Sequence, residues 1–242
     1  MSPARRAAAV VAGLAGVLLV ACGGNDDAQT VPTVDLRPGL AVEGNPGELG
    51  TGGDTARDAG TIDSVVMIGD SITKGSLTAI EERFEQLGMV SVTIEAENGK
   101  RMVVSAPDNP GGSAVAEIVS ELAGGDHDDE LWIVALGTND VGNYGGPDEI
   151  AAAVNEVLDA VPAEAPLVWV DTYFRDRPEQ QEAVNSIIRD RVERRGNSAI
   201  APWSAFATGD GVTSRDGVHP TPEGTEVFAF VVTDTARAFL GR

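Results

Sequence analysis

The sequence predicts an α/β protein: a three-layer α/β/α sandwich around a central five-stranded, mostly parallel sheet. Two observations carry this expectation. Short, continuous apolar runs recur along the chain, as strands buried on both faces require, and longer helix-like stretches separate them. Strand and helix in alternation call for parallel pairing with helices on both sheet faces. A third observation adds function to fold. Polar, glycine-bearing loops follow the strands, and in such sheets the loops at the carboxyl ends of the strands form the ligand crevice.

The strands are expected, in order, at Ser64 to Ile68, Val90 to Ile94, Leu131 to Leu136, Leu167 to Val170 and, more weakly patterned, Ser198 to Ala201. The helices are expected at Leu77 to Leu87, Ser113 to Leu122, Asp148 to Val161, Glu179 to Arg194 and Pro222 to Phe239. Pro222 suits the first turn of the last helix, where a missing N–H costs little. The folded domain is therefore placed at residues 61–242.

The segment before it has a different texture. Arg5 and Arg6 precede an uncharged apolar run from Ala7 to Val20, too short to span a bilayer and ending in small residues, which reads as an export signal over residues 1–21. Leu19-Val20-Ala21-Cys22 resembles the lipobox of bacterial lipoproteins. That resemblance implies lipidation at Cys22, a membrane anchor, and an address at the outer face of the cytoplasmic membrane. The alternative is a buried structural cysteine. Cys22 is the only cysteine, so no internal disulfide is available and the core must suffice. Residues 22–60 are rich in Gly, Pro, Asp and Thr without apolar periodicity, and read as a flexible tether.

The 242-residue chain carries a net charge of −21, spread along its length, which makes nucleic acid and anionic lipid poor electrostatic partners. Only two histidines are present. His127 lies in an acidic stretch before the third strand, away from the crevice, and reads as a solvated loop residue rather than a metal ligand. No metal and no cofactor are expected.

The chemistry concentrates in four loops. Gly69-Asp70-Ser71 follows the first strand. Ser71 either caps the next helix or is a nucleophile whose own N–H helps to hold an oxyanion. A serine nucleophile needs a base, and the base an orienter. His219 in Asp216-Gly217-Val218-His219-Pro220 stands on the correct edge, with Asp216 three residues before it. The same five residues also read as a polar turn with a helix cap. Gly99, in Glu97-Asn98-Gly99-Lys100-Arg101, and Asn139, in Gly137-Thr138-Asn139-Asp140, are candidate oxyanion donors. They also read as a turn glycine and a loop cap. The stretch GDSITKGS is not a phosphate loop, because Lys74 precedes Gly75 instead of following it. Gly-x-Ser-x-Gly is absent.

Taken in order, the four blocks resemble the SGNH hydrolase superfamily, the GDSL-like esterases, over residues 62–242. The resemblance implies a flavodoxin-like sheet and a catalytic triad of Ser71, Asp216 and His219. It implies an oxyanion hole of the Ser71 N–H, the Gly99 N–H and the Asn139 side chain. The implied activity is hydrolysis of an acyl or acetyl ester, on a small ester or an acylated glycan at the cell envelope. Two alternatives share the residues: O-acetyl transfer to a wall or surface polysaccharide, and a non-catalytic glycan-binding module. Ile72 stands where the signature has Leu, and nothing around Gly99 fixes its register. LWIVALGTND, Asn185 and IAPWSAF look similar to SGNH domains fused to membrane acyltransferases. Trp203 and Tyr144 are candidates for stacking on sugar or for core packing.

Overall fold

A computed structural model describes residues 62–104, 108–122 and 129–242. The expected export signal, Cys22, the tether and His127 lie outside the described residues.

Five strands form one sheet in the order β2-β1-β3-β4-β5, every adjacent pair parallel. The sheet is thus wholly parallel rather than mostly so. β1 (Ser64–Gly69), β3 (Glu130–Ala135) and β4 (Leu167–Val170) are the central strands, and almost all their residues are buried. β2 (Ser91–Ala96) and β5 (Ser198–Ala201) are the edges and stay partly exposed. β2 begins one residue later than the apolar run suggests. Ser91 pairs with Ser64, and Val90 is left 80% exposed outside the ladder.

Side chains alternate between the two faces of the strands. Val65, Met67, Leu131, Ile133 and Val168 pack with Ile80 and Phe84 of α2 (Leu77–Gln86) and with Phe228 and Val232 of α7 (Pro222–Phe239). Val66, Ile68, Trp132, Val134 and Trp169 pack on the other face. Their partners are Val115 of α3 (Gly111–Glu121), Val154 of α4 (Pro147–Ala160) and Ile188 of α5 (Pro178–Arg195). Burying each such side chain contributes about 1.5–3 kcal/mol, so the two apolar layers fix the sheet between them. Proline opens α4, α5 and α7 alike, at the position where a helix has no partner for an N–H anyway.

Two short helices escaped the sequence pattern: α1 (Ser71–Gly75) and α6 (Trp203–Phe206). Trp203 itself is a core residue, 1% exposed and packed edge-to-face on Phe228 at 5.1 Å, so it is not a surface platform for sugar. Among the described residues no helix is long and apolar enough to cross a membrane.

This strand order has its switch point between β1 and β3, because the chain leaves β1 for β2 on one side and returns to β3 on the other. The crevice of such a sheet opens there, at the carboxyl ends of the strands. Ser71 follows β1, and Asn139 lies in a 3-10 turn, Thr138–Asp140, that follows β3.

Candidate active site

Asp70 is the N-cap of α1. Its Oδ1 accepts from the Ile72 N–H at 2.9 Å. The capping alternative for Ser71 is thereby set aside: the cap is the residue before it, and Ser71 occupies the first helical position with its hydroxyl turned outward. Ser71 Oγ lies 2.9 Å from His219 Nε2, across 148 residues of sequence. His219 Nδ1 lies 2.7 Å from Asp216 Oδ2. Hydroxyl, imidazole and carboxylate are therefore in one hydrogen-bonded line.

The Asp216 loop is built to hold that line. Oδ1 of Asp216 accepts from Ser214 Oγ at 2.8 Å, from the Val218 N–H at 2.9 Å and from the His219 N–H at 3.0 Å. Partial desolvation works to raise the Asp216 pKa, but the bonds from His219, Val218 and Ser214 together hold it well below the usual carboxylate range. An ionised carboxylate only accepts, so Nδ1 of His219 carries its proton toward Asp216, and Nε2 is left to accept from Ser71. Gly217 turns the loop with φ +70°, and a Cβ there would meet the Arg175 side chain at 2.6 Å. Arg175 braces the same turn, donating to Thr213 Oγ1 at 2.6 Å and to the Ser214 carbonyl at 3.2 Å. The cap of α7 is Thr221, whose Oγ1 accepts from the Gly224 N–H, so Asp216 is not needed for that task.

The other wall is drier. Asp70 is 1% exposed, and burial pushes its pKa up to about 7. The Ile72 N–H and the His219 charge offset this only in part, and Asp140 adds to it. Asn139 Nδ2 donates to Asp70 Oδ2 and to the Lys100 carbonyl, each at 3.1 Å. Gly99 sits in the same turn as Lys100, whose N–H bonds to the Glu97 carbonyl at 3.3 Å. With φ +75°, Gly99 is the left-handed residue that this turn demands. The turn alone therefore accounts for a glycine here, while it also sets Gly99 beside the Asn139 amide's acceptor.

Two residues beyond those expected from sequence, Lys100 and Asp140, organise this wall. Lys100 is fully buried. Its Nζ is 3.0 Å from Glu95 Oε1 and donates to the Asn109 carbonyl at 2.9 Å, tying the β2 loop to the start of α3. Asp140 is fully buried and binds the same loop. It accepts from Arg101 Nε and the Met102 N–H, both at 3.2 Å, and from Tyr144 Oη at 2.7 Å. Burial raises the Asp140 pKa despite those donors. Tyr144 is thus a bonded partner, with the Arg101 guanidinium over its ring at 5.3 Å. Asp171, after β4, is raised by burial as well, and both its oxygens are taken by Ser204. Beyond Asn139, a cavity of about 150 Å³ is lined by Asp140, Gly142, Tyr144, Ile150, Gln180 and Val184. Among the described residues no group of acidic, histidine or cysteine side chains forms a metal site.

Chemically, the line can make the Ser71 oxygen nucleophilic, and the Asn139 amide stands on the opposite side of the switch point. The same architecture recurs in solved structures. A carbohydrate acetylesterase family member from Sinorhizobium meliloti superposes with a TM-score of 0.57 at 18% identity, covering 74% of this chain and 100% of that one. A family 3 carbohydrate esterase from Clostridium thermocellum gives 0.54 at 17% identity, over 73% and 96%. The C-terminal catalytic domain of the Streptococcus pneumoniae peptidoglycan O-acetyltransferase A gives 0.52 at 18% identity, over 75% and 94%. At these identities the likeness is one of fold. No curated protein sequence matches the chain. The sequence itself matches a family of ester-acting enzymes over residues 67–227, from β1 into α7, and the chain belongs to that family, the GDSL-like Lipase/Acylhydrolase family.

Proposed function

We propose that this protein is a serine esterase that cleaves acyl, and in particular acetyl, esters at the cell envelope. The observation that carries the reading is the line Ser71 Oγ–His219 Nε2 at 2.9 Å and His219 Nδ1–Asp216 Oδ2 at 2.7 Å. In the first half-reaction Ser71 Oγ attacks the ester carbonyl carbon and its proton passes to His219 Nε2. The carbonyl oxygen becomes an oxyanion, received by the Ser71 and Gly99 N–H groups and by the Asn139 amide once one of its two N–H groups leaves the Lys100 carbonyl. The intermediate collapses, the C–O bond to the alcohol breaks, and His219 returns its proton to the departing oxygen. Water repeats the sequence on the acyl-enzyme, giving the free acid and restoring Ser71. Asp216 stays ionised throughout and stabilises the imidazolium.

A glycan hydroxyl in place of that water gives O-acetyl transfer by the same steps, as the name of the Streptococcus pneumoniae relative illustrates. Hydrolysis is the reading adopted. A binding module has no use for an imidazole bonded to a serine. The envelope address rests on the sequence: Arg5 and Arg6, the apolar run after them and Leu19-Val20-Ala21-Cys22, with Cys22 as the lipid attachment point.

The test is release of chromophore from a small chromogenic acetyl ester by the wild type and by Ser71→Ala. Turnover that vanishes in the variant supports the proposal; a silent wild type favours the binding module. Adding a glycan acceptor and looking for acetylated sugar separates transfer from hydrolysis. Cys22→Ala should move the protein from the membrane fraction to the soluble one.

A further inference from the structure

Resting on that reading, we infer that Arg175 is a positioning residue for the catalytic base: it ties the Asp216–His219 turn to the loop after β4, and so sets where His219 meets Ser71. The turn shapes itself but does not place itself. The Ser214 N–H donates to the His219 carbonyl at 2.8 Å, the Gly217 N–H donates to the Ser214 carbonyl at 3.1 Å, and Thr213 pairs with Pro220 in an antiparallel bridge. These contacts and those on the Asp216 carboxylate all lie within residues 213–220. They fix His219 against Asp216, whereas Ser71 stands at the end of a different strand.

Placement comes from outside the turn. Apart from the Ser71 contact, residues 213–219 are hydrogen-bonded to the rest of the described chain only by Arg175 and by a long bond from Thr213 Oγ1 to the Ala207 carbonyl at 3.4 Å. The Arg175 N–H donates to the Gly217 carbonyl at 3.0 Å. Its Nη2 donates to Thr213 Oγ1 at 2.6 Å and to the Ser214 carbonyl at 3.2 Å. One residue thus holds both the start and the bend of the turn. Its stem also lies close against Gly217, where a Cβ would come within 2.6 Å of the Arg175 Cβ. Val218 packs on the apolar core, but apolar contact is non-directional and leaves the orientation of the turn to the hydrogen bonds.

Arg175 is itself firmly rooted. The fully buried Asn185 of α5 accepts from the Thr172 N–H at 2.9 Å and from Thr172 Oγ1 at 3.0 Å, and donates to the Thr172 carbonyl at 2.9 Å. Gln181, one turn earlier on α5, accepts from the Phe174 N–H at 2.7 Å. A path of hydrogen bonds therefore runs from α5 through the loop after β4 to the base. Both acceptors of the Arg175 guanidinium are neutral, so the contact supplies geometry rather than charge neutralisation. Arg215 provides the contrast. It is exposed on the same turn, carries the same charge, and its side chain makes no hydrogen bond or ion pair among the described residues.

The test uses the chromogenic acetyl ester, with each variant first checked for a cooperative unfolding transition. Arg175→Met should lower kcat by about 10- to 100-fold with KM nearly unchanged, because displacing a catalytic group by about 1 Å costs up to about 10²-fold. The loss stays partial because the bond to Gly217 is made by the main chain. Labelling of Ser71 by a phosphonate probe should slow by a similar factor. Arg175→Lys keeps the charge but ends one bond short of Nη2, so it should lose rate too, and it provides a second route if the methionine variant folds poorly. Arg215→Met should keep kcat near the wild-type value. Wild-type kcat in either Arg175 variant, a loss confined to KM, wild-type labelling of Ser71, or an equal loss in Arg215→Met would overturn the inference. If Ser71→Ala is inactive while Arg175→Met is unimpaired, the positioning role alone falls. If Ser71→Ala turns over normally, the serine mechanism falls and this inference with it.

Discussion

Asp70 and Asp216 are the same side chain on two sides of one crevice, and their acidities move in opposite directions. Asp70 is sealed under α1 with two donors, and burial lifts its pKa to about 7. Asp216 is half exposed with four hydrogen-bond contacts, and they pull its pKa down. Desolvation is the largest single influence on both. What differs is how many donors oppose it. The exposed carboxylate is charged and suited to stabilise a neighbouring imidazolium. The buried one is held in place and suited to hold others in place. The site thus has a wet half, the Asp216–His219 loop and the Ser71 hydroxyl it meets, and a dry half in which Asp70, Asn139 and the loops after β2 and β3 are held by mostly buried hydrogen bonds.

The largest effects should come from the wet half. Ser71→Ala and His219→Ala should each reduce kcat by on the order of 10⁶-fold, since removing either member of a working triad costs about as much as removing both. Their double variant, assayed with the same ester, should be no slower than either single; multiplying losses would separate the two residues. Asp216→Asn should cost on the order of 10⁴-fold by spoiling the tautomer of His219 while leaving the fold intact. A loss under 10-fold would mean that the 2.7 Å contact does not orient the base.

The dry half should contribute less to rate and more to the dependence of stability on pH. Asn139→Ala should cost on the order of 10²-fold in kcat, measured from initial rates at saturating ester. A normal kcat would remove it from the oxyanion hole. The stability effect has a definite sign. The folded protein holds the proton of Asp70 more tightly than the unfolded chain does. Its contribution is therefore full below about pH 4 and lost as pH rises toward 7, amounting to at most about 4 kcal/mol. Asp140 and Asp171 act in the same direction. Asp216 acts in reverse, supporting the fold above the usual carboxylate range and withdrawing that support as pH falls, by less because solvent screens it. Denaturant midpoints from pH 4.5 to 8 should fall more steeply for wild type than for Asp70→Asn. Equal slopes would show that Asp70 does not titrate in that window.

The Asp216–His219 contact and the loops that carry Ser71, Gly99 and Asn139 were legible in the sequence, and the buried polar groups that tie those loops together were not. Asp216 and His219 lie three residues apart on one loop, with Gly217 supplying the turn, so local spacing encoded their contact. Ser71 was legible as a crevice residue because it follows a strand whose apolar run is unbroken. Its cap was not, since aspartate and serine in succession are both good cap residues and only the folded chain shows which one binds the Ile72 N–H. The burial of Lys100, Asp140 and Asp70 is not visible in their motifs, because burial of a charge is decided by which loops meet, not by the neighbours in sequence. The three central strands followed from their apolar runs, whereas α1 and α6 are too short to show a helical period. Val90, apolar yet exposed, misplaced the start of β2 by one residue.

The central claim is that the 2.9 Å contact between Ser71 and His219 makes one serine hydroxyl a nucleophile. A phosphonate probe for activated serines, followed by mass spectrometry of the digested protein, reads this directly. The expected result is a single adduct on Ser71 in the wild type and none in His219→Ala. An adduct on another serine, or equal labelling of Ser71 with and without the imidazole, would contradict the account.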